Sequence, residues 1–403
     1  MTAAPKTVKP ADRAAVLASS RNLKMARSAH AYVRGNTRQF YDWLQAQAPD
    51  SLPAGPAIWI CGDCHLGNLG PIASVNGGVE IQIRDLDQTV IGNPARDLIR
   101  LGLSLAMAAR GSDLPGVTTA VMLEQLMDGY CAGLAGASSD PSAALPAPVH
   151  LVMKDALRRS WKHLARDRFD AVVPTVPIGK RFWKLVPEEK DAIARLFEKK
   201  SVSRLATLLG SRDDDAPVAM LDAAYWMKGC SSLGLLRYAV VLGVGEPGGD
   251  GLQYCLVDIK QAVPAAAPAY KDARMPKDHA MRVVDGARHL SPHLGDRMLA
   301  AELLDRPVFV RELLPQDLKL EIERLTRAEA TEVAAFLGGV IGKAHARQMD
   351  DATATGWRNE LRKGRTKTLD APGWLWSSIV DLVASHEAGY LQHCRRYALR
   401  EVA

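Results

Sequence analysis

The sequence predicts an α+β protein of two lobes, a small antiparallel sheet lobe set against a large helical lobe. Three observations carry this expectation. Residues 222–260 read as strand, loop, strand, turn and strand, with a further strand at 308–313. On either side apolar residues recur at helical spacing, most clearly in 98–134 and 327–346. The chain has 403 residues, more than one typical domain, and is long enough to bury a substantial core. The expected division is a helical lobe at 1–218, a β-rich lobe at 219–315 and helices at 316–403 that complete the first lobe.

Composition narrows the class without naming a chemistry. The formal charge of +6 is mild for this length, fits an anionic ligand and argues against a nucleic-acid partner. Arg100 and Lys343 interrupt the longest apolar runs, so no membrane span is expected. The six cysteines follow no framework spacing, and residues 1–28 lack the apolar core of a signal peptide. Free thiols in a reducing cytoplasm are therefore expected, with oligomeric state left open. There is no internal repeat and no low-complexity tract.

Taken in order, residues 11–47 read as helix in two pieces, broken near Arg34-Gly35-Asn36. Residues 58–97 follow, and they carry the densest chemistry. A short apolar strand leads into Gly62-Asp63-Cys64-His65-Leu66-Gly67-Asn68. Asn76-Gly77-Gly78 marks a hairpin turn between strands at 69–74 and 79–83. Val79, Ile81 and Ile83 alternate with polar residues, and Asp85 continues their parity, which points its side chain inward. An inward carboxylate calls for a cation or a donor. Asp63, Asn68 and Asp85 match the parts of a phosphoryl-transfer site: an acid that orients the attacking hydroxyl, and an amide and an acid that hold Mg2+. Each alone reads better as a turn or cap residue, and it is the three together, with the hairpin between, that point to phosphoryl transfer. Cys61-Gly62-Asp63-Cys64-His65 also spells the haem-attachment spacing, but that chemistry needs export, so no haem is expected. A zinc site would need a second Cys/His pair nearby, and none stands at ligand spacing.

These residues resemble a known pattern. Cys-Gly-Asp-Cys-His-Leu-Gly-Asn at 61–68 is similar to the catalytic loop of aminoglycoside phosphotransferases and related small-molecule kinases. The stretch 83–98 resembles their metal-binding aspartate with its following Gly-x-Pro-x-x-Asp-Leu segment. Cys61 departs from the pattern, since many of those kinases place His there. Closer still is the resemblance to a bacterial family of uncharacterised proteins, domain of unknown function 2252, from Tyr32-Val33-Arg34-Gly35 to Ala344-His345-Ala346-Arg347. The kinase resemblance implies a two-lobed protein-kinase-like fold, ATP and Mg2+ as cofactors, and Asp97 as an acid gripping the loop. His65, Asp87 and Arg34 are supporting candidates; for Arg34, pairing with a carboxylate competes with contacting phosphate.

After core helices at 98–134 comes the Pro, Ser and Ala-rich connection 136–148, then helical segments near 149–168 and 187–209. Lys180 and Arg181 read as solvated loop charges, and Arg212-Asp213-Asp214-Asp215 as a charged turn at the lobe boundary. Gly229-Cys230-Ser231-Ser232-Leu233-Gly234 then offers a loop whose backbone can approach phosphate, with Gly229, Ser231, Ser232 and Gly234 as candidates. The strand ending at Lys260 places Cys255, Val257 and Ile259 on one face and Asp258 and Lys260 on the other. Lys260 sits where a kinase grips the nucleotide phosphates. Asp285, in a helical stretch at 281–289, is its expected acidic partner.

Thr326-Arg327-Ala328-Glu329 is a capping box that opens a helix burying Val333, Phe336, Leu337, Val340, Ile341 and Ala344. Resembling kinases place such a helix just before the catalytic loop. Here it follows by some 260 residues in sequence, so circular permutation is expected, with the end of this helix near the start of the 58–68 segment. The basic stretch 358–367 reads as a solvated loop, and Trp374 and Trp376 as packing residues. The expectation is an ATP-dependent phosphotransferase acting on a hydroxyl of a small molecule. Its alternatives are an inactive nucleotide-binding module, a protein kinase or nucleotidyltransferase on the same scaffold, and a structural partner protein.

Overall fold

A computed structural model describes residues 7–48, 50–136, 145–169, 175–230, 232–246, 252–320, 325–363 and 371–397. Ser231, most of the turn expected at 245–251, and parts of the stretches 136–148 and 358–367 lie outside the described residues. The protein is α+β with antiparallel sheets. Strands β1 (Ile58–Ile60) and β4 (Val90–Gly92) form one pair, and β2 (Leu69–Ala73) and β3 (Val79–Ile83) form the expected hairpin. A six-stranded sheet follows from β5 (Phe182–Trp183), β6 (Val218–Trp226), β7 (Arg237–Val244), β8 (Gln253–Gln261), β9 (Met298–Leu303) and β10 (Arg306–Leu313), in the order β5-β6-β7-β8-β10-β9. No described helix is long and apolar enough to cross a membrane.

Side-chain parity explains how this sheet is built. Every residue of β7 is buried, because both faces are covered. Tyr238, Val240 and Leu242 join Cys255, Val257 and Ile259 of β8 in one core, against the helix Pro187–Glu198. Ala239, Val241 and Leu256 join Phe182 and Trp226 in a smaller core on the other face. That second face also carries Arg237, Asp258 and Lys260, and register places Arg237 opposite Lys260 and Ala239 opposite Asp258. The sheet thus presents one dry face and one face that changes from apolar to charged along its strands.

The expected boundary at 218/219 does not follow these cores. β5 pairs with β6, and Trp183, Ile193, Leu196 and Leu205 pack on the sheet. The N-terminus does the same. Arg13, fully buried, donates to Glu189 at 2.6 and 2.7 Å, and Tyr238 Oη donates to Glu189 at 2.6 Å. A buried carboxylate so matched holds the first described segment and the Pro187 helix to β7.

The remaining helices bury a larger core with the β1–β4 pair and the β2–β3 hairpin. Its centre is the crossing of the helices Gly116–Leu134 and Arg327–Ala346, where glycines let the backbones touch. A Cβ on Gly129 would lie 1.9 Å from Ala335 O, and one on Gly338 would lie 2.2 Å from Leu126 O. The Thr326 capping box forms as expected, Thr326 N donating to Glu329 at 2.8 Å. Past the end of that helix, the Gln348 side chain accepts from Trp59 N at 2.8 Å and donates to Trp59 O at 3.0 Å, tying the helix end to β1.

Candidate functional site

Residues 61–68 leave β1 through a turn that only glycine fits: Gly62 has φ +73°, and a Cβ there would lie 2.1 Å from Gln88 O. Asp97, fully buried at the start of the helix Ala95–Gly111, fixes this turn. Its Oδ2 accepts from Cys61 N at 2.7 Å and its Oδ1 from Gly62 N at 2.9 Å. A relay holds Asp97 in turn. Trp357 Nε1 donates to Tyr130 Oη at 2.9 Å, the Tyr130 hydroxyl lies 2.9 Å from His345 Nδ1, and His345 Nε2 lies 3.2 Å from Asp97. Tryptophan can only donate, so Tyr130 Oη accepts from it, and a His345 tautomer with its proton on Nε2 would take the hydroxyl proton at Nδ1 and donate to the carboxylate.

Asp63 is set by two side chains from elsewhere. Arg100 Nε, on the same helix as Asp97 and fully buried, donates to its Oδ1 at 2.7 Å, and Thr37 Oγ1 donates to its Oδ2 at 2.9 Å. Thr37 opens the helix Thr37–Gln45, just after the break at Asn36 that the sequence predicts. Asn68, which lines the cleft, donates its Nδ2 to Asp63 O at 3.0 Å, and its Oδ1 is not used in that bond.

The β2–β3 hairpin delivers Asp85 and Asp87 opposite Lys260. Lys260 Nζ lies 3.6 Å from Asp85 Oδ1 and pairs directly with Asp87 Oδ2. Asp85 faces the cleft rather than the core, with 43% of its side chain exposed. Burial works against its charge, but Lys260 and Arg311 outweigh it and hold the carboxyl below the usual range. Asp87 goes the other way: burial and then the Asp85 charge push it up to about 6, and its Oδ1 is buried with no partner. Beside them Asp258 is wholly buried between Arg237 (3.0 and 2.7 Å) and Arg311 (3.0 Å), and although burial opposes its charge, those cations keep it ionised. Arg311 also donates to Arg84 O at 2.9 Å, linking sheet to hairpin.

One cleft of about 390 Å3 unites Asp63, His65, Asn68, Asp85, Asp87, Arg34 and Lys260 with Gly229 and Ser232. Two expected residues are not there. Gly234 (φ +99°) packs on the N-terminal segment, where a Cβ would lie 2.5 Å from Ala14 Cα, so its freedom serves that close approach rather than a phosphate. Asp285 pairs with Arg288 on its own helix, His279–Leu290, at 3.3 Å. The acids meeting Lys260 come instead from the hairpin. That helix contributes Arg282, which donates to Asp87 O at 2.9 Å and to Val263 O at 3.0 Å and so braces the hairpin's exit.

Lys24 and Arg27 line the cleft without having been singled out in the sequence, and Lys24 Nζ donates to Gly229 O at 3.3 Å. Tyr32 packs, as expected, and takes a hydrogen bond from Asn36 Nδ2 at 3.0 Å. Gly35 admits Cys230 Sγ, which would lie 3.1 Å from a Cβ there, so the Tyr-Val-Arg-Gly segment joins the 229–234 loop to the 61–68 loop. Arg34 follows neither expected course strictly: it has no hydrogen bond or ion pair among the described residues and lies against Gly67, whose Cβ would fall 2.7 Å from Arg34 Cζ. Cys61 and Cys64 are buried free thiols, and the Cys64 contact together with burial pushes the Cys61 thiol up. Among the described residues no group of three or more His, Cys, Asp or Glu converges as a metal centre. Any divalent ion here would take one or two protein oxygens and complete its shell from elsewhere.

Over residues 13–396 the chain matches the model of a family described as "uncharacterized protein conserved in bacteria (DUF2252)". No curated protein and no solved structure matches it.

Proposed function

The chain belongs to that bacterial family, and for it we propose an ATP-dependent phosphotransferase acting on a hydroxyl of a small molecule. The observation that carries this reading is the meeting of Asp63, Asn68, Asp85 and Lys260 in one cleft, two from a glycine-turned loop, one from a hairpin and one from a facing sheet. Their order of roles is that of kinase sites.

Asn68 Oδ1 and Asp85 are hard oxygen donors, and Asp85 and Asp87 together face the single ammonium of Lys260. This donor set fits Mg2+. Asn68 and Asp85 would hold the ion, which when bound neutralises charge between phosphate oxygens. Lys260 would turn from the aspartates to the phosphates of ATP, and the open backbone at Gly229 leaves room for them. Asp63, held on one oxygen by Arg100 and on the other by Thr37, keeps a lone pair on each and would orient the acceptor hydroxyl.

A permuted kinase-like fold accounts for the order of the parts. The helix Arg327–Ala346 follows the sheet in sequence, yet Gln348 beyond its end clasps β1, which leads into the 61–68 loop. His345 of the same helix reaches Asp97. In a kinase-like chain those segments would be consecutive, and joining them restores that order. The test is a metabolite screen for Mg2+-dependent ADP release. Activity lost in Asp63→Ala supports the reading, and AMP release in place of ADP would move it to nucleotidyl transfer.

A further inference from the structure

Resting on the phosphotransfer reading, we propose that the acceptor carries an oxyanion, a phosphate or carboxylate group, which Arg34 and His65 hold beside Asp63. The two sides of the cleft are charged differently. On the sheet side every strong charge has a partner: Lys260 meets Asp85 and Asp87, and Arg237 and Arg311 share Asp258. On the helix side Arg34 is half-buried and has no ion pair or hydrogen bond among the described residues. His65 is only 4% exposed and lines the same cleft; its Nδ1 is sealed from solvent, and its Nε2 has no hydrogen bond among the described residues. A half-buried guanidinium without a counter-charge gains from an oxyanion, and Nε2–H can donate to the same group.

The Arg34 guanidinium lies against Gly67, where any Cβ would fall 2.7 Å from Cζ, so the missing side chain is what lets Arg34 reach the cleft beside the 61–68 loop. Arg27 and Lys24 line the same cleft and extend the positive field outward. The planar arginine fork binds phosphate or carboxylate through two parallel hydrogen bonds, which selects an oxyanion over a neutral polyol. His65 Nε2 lies 3.9 Å from Asp63 Oδ2, so a group bound here sits within a few bonds of a hydroxyl at Asp63. The acceptor is therefore a compact hydroxylated acid or phosphate ester.

The test is a thermal-shift titration of the full chain in saturating Mg·ADP at constant ionic strength, with inorganic phosphate and acetate as probes against chloride. One of the two probes is expected to raise the midpoint beyond chloride, and which one does so identifies the group. Arg34→Gln should weaken that effect about tenfold or more. Arg34→Lys, which keeps the charge and loses the fork, should fall between. The Mg·ADP shift of each variant reports that it is folded. Equal response to phosphate, acetate and chloride, an unchanged response in Arg34→Gln, or competition between probe and Mg·ADP would each overturn the proposal. If phosphate binds through Arg34 but Mg·ADP gives no shift, the acceptor role falls together with the phosphotransfer reading. Failure of the probes alone leaves that reading standing.

Discussion

Arg100 shows best how the site depends on single side chains. It is buried without exposure and spends its Nε on Asp63 and its Nη2 on Val33 O at 2.7 Å. Arg100→Met should leave the Asp63 carboxylate without its cation and destabilise the fold by about 3–5 kcal/mol. Adding Asp63→Asn should recover part of the loss, and urea denaturation of the single and double variants measures both. A pH effect follows from His386, which burial and then the Arg100 charge lower to about 4. The unfolded chain binds the proton near 6.5 and the folded chain near 4, so this contribution is complete above 6.5 and is lost as pH falls toward 4. The loss is roughly 3 kcal/mol, at 1.36 kcal/mol per pKa unit. His386→Gln should flatten that part of the stability profile, and an unchanged slope would contradict it. That Asp63, Asn68 and Asp85 share one cleft was legible in the sequence because they fall within one continuous stretch. Arg100 and Thr37 were not, since only the packed fold brings them to Asp63; the one charged residue in the run 98–109 was the available signal. Asp285 was misread because helical character does not give the helix its rotation, and it is Arg282, three residues earlier, that turns to the hairpin.

Among elements, the glycine crossing between Gly116–Leu134 and Arg327–Ala346 sets the spacing on which the Asp97 relay depends. Tyr130 lies on one helix and His345 on the other. Gly338→Ala would place a Cβ 2.2 Å from Leu126 O and should cost about 1–3 kcal/mol through forced separation. Gly339→Ala, next along the same helix, meets only Gly129 O at 3.5 Å and should be neutral or stabilising by up to about 1 kcal/mol. Thermal melts of the pair check this, and equal melting temperatures would contradict it. The hairpin, the break at Asn36 and the Thr326 cap were readable because turn and cap chemistry is local. The glycine crossing was not, because helical periodicity reports which face is buried and not how closely two backbones approach.

At the scale of the whole molecule, the α+β class and the antiparallel sheet followed from the change of period near residue 220. The lobe boundary did not, because Arg13 and Glu189 reach the sheet through buried contacts that a linear division cannot express. The central claim is that a loop and hairpin on one side and a sheet lysine on the other form a single Mg·ATP site. The direct measurement is the thermal shift produced by ATP with and without Mg2+ in wild type, Asp63→Ala, Asp85→Ala and Lys260→Ala. Wild type and Asp63→Ala should show a Mg2+-dependent shift, alike within a few fold in apparent affinity, since the proposed role of Asp63 is toward the acceptor. Asp85→Ala should lose it and Lys260→Ala should weaken it. No Mg2+-dependent shift in wild type, or an Asp85→Ala variant indistinguishable from wild type, would contradict the account.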